Sequence, residues 1–144
     1  MTATLHTTAA DRLRGDGQRY TTQRRALVEL LGEVEQPLTI PQLLERQTGL
    51  AQSSAYRNLA VLERAGVVHR IVTTDEFARY ELAEDLTRHH HHLICSTCGG
   101  VTDFEVSEAV EHELESALAR VARRTGFTVR THRLDLVGVC SGCA

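Results

Sequence analysis

The chain has no lysine, no run of 18 apolar residues and no cysteine outside two Cys-x-x-Cys pairs. Each absence narrows what the protein can be. Without a long apolar run, no segment is expected to span a membrane. Residues 1–17 lack the apolar core of a secretory leader, so the expected location is the reducing cytoplasm, where clustered cysteines serve a metal better than disulfides. All sixteen basic residues are arginine, whose forked donors suit phosphate and base edges, although a genomic composition bias accounts for the missing lysine equally well. There is no internal repeat, and the one low-complexity tract is His89-His-His-His92.

With 144 residues the chain is one large domain or two small ones, and its charge favours two. Residues 1–72 hold nine Arg against seven acids, a net +2, while residues 73–144 hold seven against twelve, a net −5. Only the first half suits a polyanion. In that half, Ala26, Leu27, Leu30, Leu31 and Val34 recur at helical spacing after a cap at Thr22, and Gln36-Pro37 ends the helix. A second helix starts at Thr39 and stops near Gly49. A third, capped by Ser53 or Ser54, buries Ala55, Leu59 and Leu62 and closes at Gly66. Two helices joined by a tight linker form a helix-turn-helix, and residues 67–72 and 77–82 around a polar turn form a β-hairpin wing.

The expected fold is α+β: a winged helix-turn-helix over residues 1–82, a polar hinge at 83–88, and a small α/β domain at 89–144. In the last segment, strands at 91–94 and 101–104 flank the first cysteine pair. A helix carries Val110, Leu114, Ala117, Leu118 and Val121 on one face, and strands at 127–131 and 133–139 lead to the second pair.

Cys95-x-x-Cys98 and Cys140-x-x-Cys143 are two knuckles that together offer the four thiolates of a structural Zn2+ site. The 41 residues between Cys98 and Cys140 exceed the roughly 15–20 of a compact zinc ribbon, so the second knuckle returns after intervening structure. Two disulfides are the competing reading. A reversible metal site would use imidazole and carboxylate instead. If residues 89–94 are extended, His90 and His92 share one face and His89 and His91 the other, so one run serves two sites.

On the third helix, Ser54, Tyr56, Arg57 and Asn58 are expected on or near the outer face, where Tyr and Arg can meet bases or phosphate. Arg19, Arg24 and Arg25 surround the start of an earlier helix and suit phosphate or a minor groove. Solvated helix surface is the alternative for both groups.

The segments Arg19-Tyr-Thr-x-Gln-Arg24, Ser54-Ala-Tyr-Arg-Asn-Leu59, Arg79-Tyr-Glu-Leu82, His89-His-His-His-Leu-Ile-Cys-Ser-Thr-Cys-Gly99 and Cys140-Ser-Gly-Cys143 together resemble the ferric uptake regulator family of metal-dependent repressors. The resemblance implies a homodimer with a mixed sheet in its C-terminal domain, binding palindromic double-stranded DNA when loaded with metal. It places Tyr56 and Arg57 in the major groove and Arg19 in the minor groove. It also implies Glu81 as a third ligand beside His90 and His92, with a fourth from the DNA-binding half or from Asp103.

The chain departs from the family pattern at Gln36-Pro37, where many members carry a histidine, and it has no cysteine near the end of the wing. His69 stands where some zinc sensors place a ligand. For His89 and His91 the implied partners are His132 and either Glu111 or Glu115; counting back from Gly126 favours Glu115. His6 and His112 are expected on the surface. The missing cysteine tilts the sensed metal from Zn2+ toward Fe2+, and Mn2+ and Ni2+ also suit such ligands. A peroxide-sensing variant, a DNA-binding module with structural zinc only and a metal-assisted hydrolase are the rival readings. Of these the enzyme leaves the winged helix without a purpose, and no catalysis is expected.

Overall fold

The first fourteen described residues form a helix, α1 (Thr2–Gly15), for which the sequence shows no strong periodicity. Packing accounts for it. Ala9 and Leu13 are fully buried in the N-terminal core, and His6, expected on the surface, is only 5% exposed. The computed structural model describes residues 2–47, 49–73 and 76–144.

Thr21, not Thr22, caps α2 (Thr22–Glu33), its side chain accepting from the Arg24 amide. Strand β1 (Leu38–Thr39) leads directly into α3 (Ile40–Arg46), which Thr39 caps in a full capping box with Gln42. Helix α4 (Gln52–Arg64) starts two residues before the predicted serine cap. Ala51 holds the cap position without a side-chain bond, which leaves both serines inside the first turn. Beyond α4, Gly66 takes φ +78, a conformation costly for any residue with a Cβ, and turns the chain into the wing.

The wing is β2 (Val68–Val72) and β3 (Ala78–Leu82), paired antiparallel, with β1 added on the far side of β3. Part of the expected tip turn, residues 74 and 75, lies outside the described residues. Leu27, Leu43, Leu59 and Leu62 from the helices close on Leu38, Tyr80 and Leu82 from this sheet to form one core.

A 3-10 turn (Glu84–Leu86) occupies the predicted hinge. It is tethered, because Arg12 of α1 pairs with Asp85 and donates to the Gly66 carbonyl at 2.7 Å. Strand β4 (His91–Cys95) pairs antiparallel with β5 (Val101–Phe104) and parallel with β6 (Asp135–Gly138). A parallel pair needs a long crossover, here made by β5 and α5 (Glu108–Thr125). Ser107 caps α5, and Gly126 at φ 69 ends it, with the Phe127 amide returning to the Ala122 carbonyl.

Residues 127–131, predicted as a strand, are not one: within a single chain their backbone finds no neighbour to pair with, and Phe127 is 69% exposed. Val110, Leu118 and Val121 of α5 are exposed too, as are Leu136 and Val137 of β6. Among the described residues no helix is long and apolar enough to cross a membrane.

Candidate metal centres and nucleic-acid face

Among the described residues three groups of ligand atoms converge, the atoms of each group within 4.8 Å of one another. The first is Cys95, Cys98, Cys140 and Cys143, brought together because β4 and β6 are neighbours and each knuckle follows one of them. Zn–S bonds of about 2.3 Å set the sulfur–sulfur edge of a tetrahedron at about 3.8 Å. Cys98 Sγ and Cys140 Sγ are 3.9 Å apart, close to that edge. The amides of Cys98 and Cys140 donate to Cys95 Sγ at 3.4 Å and pull that thiol down to about 6. Hydrogen bonding with its neighbouring thiols pushes Cys143 up to about 12. No disulfide joins the four sulfurs, which suit a single cation once deprotonated.

The second group is Glu81, His90, His92 and Asp103. His92 on β4 and His90, just before the strand, share one face, and the register sets His92 opposite Asp103 on β5 and opposite Asp135 on β6. Glu81, at the end of the wing, bridges both rings: its two oxygens lie 3.0 Å from His90 Nε2 and from His92 Nε2. Asp103 lies 3.7 Å from His90 Nε2 and 3.5 Å from His92 Nε2. The outward nitrogens are held separately, His90 Nδ1 by the Arg88 carbonyl at 2.8 Å and His92 Nδ1 near Asp135 at 3.4 Å. Outer partners of this kind orient the rings so that each Nε2 can serve a metal once the proton it shares with Glu81 is lost.

Burial pushes Glu81 up, but hydrogen bonds and charge from His92 and His90 outweigh it and hold the carboxyl below its usual value. For His90 and His92 burial works downward and the facing carboxylates prevail, raising both rings. Asp103 is raised to about 6 by burial and by the charge of Glu81.

The third group is His89, His91, Glu111 and His132. Glu111 lies 2.8 Å from His89 Nε2 and His91 Nε2 and 2.7 Å from His132 Nε2. His91 is 1% exposed, and His89 also contacts Glu84 of the 3-10 turn. Of the two carboxylates left open, the structure brings Glu111, and not the favoured Glu115, to these rings. Glu115 sits one turn further along α5, exposed, beside a cavity shared with His89 and His132. Counting back from Gly126 failed because α5 runs 18 residues, and its first turn, not its middle, is level with β4.

His69 does not join the second group. It lies opposite Glu81 in the β2·β3 register and lines a cavity with Glu81, His90 and His92, but Glu81 already spans the two rings. Burial, then the charge of Arg133, lowers its pKa. His112 is exposed as expected. Asp135 and Glu84 are the contributors that sequence reasoning missed; neither carries a motif, and both act through pairings that only the fold creates.

On α4 the structure divides the predicted DNA readers. Tyr56 is 54% exposed, Arg57 is exposed and Ser54 is half-buried. Asn58 is not on the outer face: it is 8% exposed, accepts from Arg24 Nε at 3.0 Å and donates to Gln23 at 3.1 Å. Arg24 also donates to Gln18 at 3.2 Å and to the Arg19 carbonyl at 2.8 Å. These two residues thus lock the Arg19 segment and α2 onto α4. Arg19 itself is exposed beside them.

Residues 15–137 match the model of the Ferric uptake regulator family. The chain is 31% identical over 140 residues to the peroxide operon regulator of Bacillus subtilis, covering 94% of this chain and 91% of that protein. It is 32% identical over 137 residues to the ferric uptake regulation protein of Campylobacter jejuni, covering 91% and 83%. Its fold superposes on the Helicobacter pylori ferric uptake regulator with a TM-score of 0.77 at 22% identity, over 99% of this chain and 93% of that one. With the winged helix, the four-cysteine cluster and the two His-carboxylate groups, these likenesses establish that the chain belongs to the ferric uptake regulator family.

Proposed function

We propose that this protein is a repressor that binds a palindromic operator as a homodimer when a divalent metal occupies Glu81, His90, His92 and Asp103. One observation carries the reading: this group takes Glu81 from the wing, His92 and Asp103 from the second sheet and His90 from the residue just before it, so it joins the half that faces DNA to the half that bears the exposed apolar surface. The working units are residues 1–82 and 89–144, with 83–88 between them. The four cysteines hold structural Zn2+, and the His89/His91/Glu111/His132 group is a further site for a divalent metal. Tyr56, Arg57 and Arg19 meet DNA; the apolar face of α5, residues 127–131 and β6 meets the second subunit. The protein acts in the cytoplasm, on the chromosome, and without catalysis.

Metal acts by restricting geometry. Unloaded, each winged helix samples several angles about residues 83–88, and apparent affinity falls by the competent fraction; a fraction of about one percent weakens binding about 100-fold. Replacing both His90 and His92 by Ala is expected to abolish metal-dependent binding to DNA selected by the loaded wild type, while zinc content and dimer mass stay unchanged. A metal response equal to wild type would overturn the assignment.

Asp103 in the group supports a second reading, in which the metal is Fe2+ and peroxide destroys repression by oxidising His90 or His92; the Bacillus subtilis relative is named for peroxide. Peroxide treatment of the iron-loaded protein should then add one oxygen to a peptide containing residues 90–92. Intact peptide after loss of DNA binding would exclude it.

A further inference from the structure

The 3-10 turn between the two halves is fastened to the first of them. Ala83 stays on the first sheet, its amide donating to the Val67 carbonyl at 2.9 Å, and Leu86 packs against the N-terminal core. Arg12 of α1 adds a fork. Its Nη1 and Nη2 reach the two oxygens of Asp85, and Nη1 also donates to the Gly66 carbonyl, just past the end of α4, at 2.7 Å. A guanidinium bonded to a carboxylate and a main-chain carbonyl together holds its geometry better than an isolated surface ion pair does. Arg88, by contrast, pairs with Glu105 beyond β5, so it goes with the second half and Thr87 is left between them.

One side chain of this turn crosses to the second half. With three residues per turn, Glu84 and Asp85 leave the backbone about 120° apart. Asp85 meets Arg12, and Glu84 meets His89 Nδ1. The other ring nitrogen, His89 Nε2, faces Glu111 at 2.8 Å and His132 at 3.1 Å. The His89/His91/Glu111/His132 group lies wholly within residues 89–144, and Glu84 gives it a contact with the half that reads DNA.

We propose that Glu84 is a positioning residue that couples metal in this group to operator affinity, through His89 on one side and the Asp85–Arg12–Gly66 chain on the other. The proposal rests on the metal-binding role given above to the His89/His91/Glu111/His132 group. A neutral imidazole carries one proton, for which Glu84 and Glu111 compete across the His89 ring. With Nε2 given to a metal, His89 keeps that proton on Nδ1 and donates it to Glu84. The turn is then held to the second half as well as the first, and Arg12 carries the restraint to the end of the recognition helix.

The test measures metal content and operator affinity of the full-length protein, with its cysteine zinc in place and Mn2+ saturating, on DNA selected by the loaded wild type. Glu111→Gln alters the carboxylate that His89, His91 and His132 share. It is expected to lose one Mn2+ per chain, counted by elemental analysis after dialysis against Mn2+, and to weaken operator binding about 5- to 10-fold. Glu84→Ala, Asp85→Ala and Arg12→Gln replace no metal ligand and should keep the wild-type Mn2+ count. In each of them Glu111→Gln should weaken operator binding less than about twofold further, because the connection is already cut. A cost of Glu111→Gln as large in any of these proteins as in wild type would overturn the proposal, as would unchanged operator affinity for Glu111→Gln alone. Metal content separates the two levels of inference. If Glu111→Gln keeps the wild-type Mn2+ count, the group is no metal site and the reading above falls with the proposal; if it loses one Mn2+ and the costs stay additive, the site stands and Glu84 couples nothing.

Discussion

Arg57 and Asn58 are adjacent on α4 and face different surroundings: Arg57 projects from the exposed face, while Asn58 is buried against Arg24 and Gln23. A turn of 100° per residue is enough to separate a reader of DNA from a part of the scaffold. Arg57→Ala is therefore expected to weaken the specific site by about 1–3 kcal/mol and leave the fold intact. Asn58→Ala should instead destabilise the protein by about 1–3 kcal/mol, because Arg24 loses a buried partner. Affinities for specific and random duplexes, together with melting curves, check both; equal losses on the two duplexes for Arg57→Ala would count against base reading. Arg24 and Asn58 were grouped with the readers in the sequence because a motif shows which residues recur together, not which way they point. His6 is expected on the surface for a similar reason, since nothing along the chain shows its partner. Its contact with Tyr20, a phenol that burial raises to about 12, joins segments 14 residues apart.

At the scale of elements, the zinc site is a clasp between strands. Cys95 and Cys98 follow from β4, Cys140 and Cys143 from β6, and the Ser96 amide donates to the Gly138 carbonyl at 2.8 Å beside them. Metal binding here is folding energy, since the ion joins distant segments. Cys98→Ser is expected to lose zinc and to melt the second sheet well before the first; elemental analysis and a melting curve followed by circular dichroism measure this. Wild-type zinc content and stability would refute it. The helices of the first half and the strands beside the first knuckle were legible because apolar periodicity is a local property. Residues 127–131 were not, since a strand exists only where another strand accepts its hydrogen bonds.

For the whole molecule, the regulatory group links stability to pH in opposite senses with and without metal. In the metal-free protein His90 and His92 are raised above 6.5, so their contribution is complete below that value and is lost as pH rises through the raised values. Asp103, raised from 3.8 to about 6, acts in the same sense: the fold prefers its neutral form and loses stability as it ionises. Glu81, lowered from 4.5, contributes above that value and is lost only in stronger acid. Protein stripped of reversible metal should thus melt at lower temperature at about pH 8 than at about pH 6. Added Mn2+ should stabilise more at the higher pH, because its ligands must be deprotonated. Melting temperatures at the two pH values, with chelator and with Mn2+, decide it; a chelated protein more stable at the higher pH would contradict the assignment.

The sequence by itself determined the parts whose logic is local or chemical. Four cysteines in two knuckles name a zinc site, four consecutive histidines in a strand must split between two faces, and helical spacing followed by a hairpin marks a winged helix. Tertiary structure alone decided which carboxylate meets each pair of rings. Glu111 wins over Glu115 by one helical turn, and Asp135 reaches His92 only through the parallel pairing of β4 with β6. Those choices depend on register and on distances of a few ångströms between segments far apart in the chain, which no pattern along it encodes.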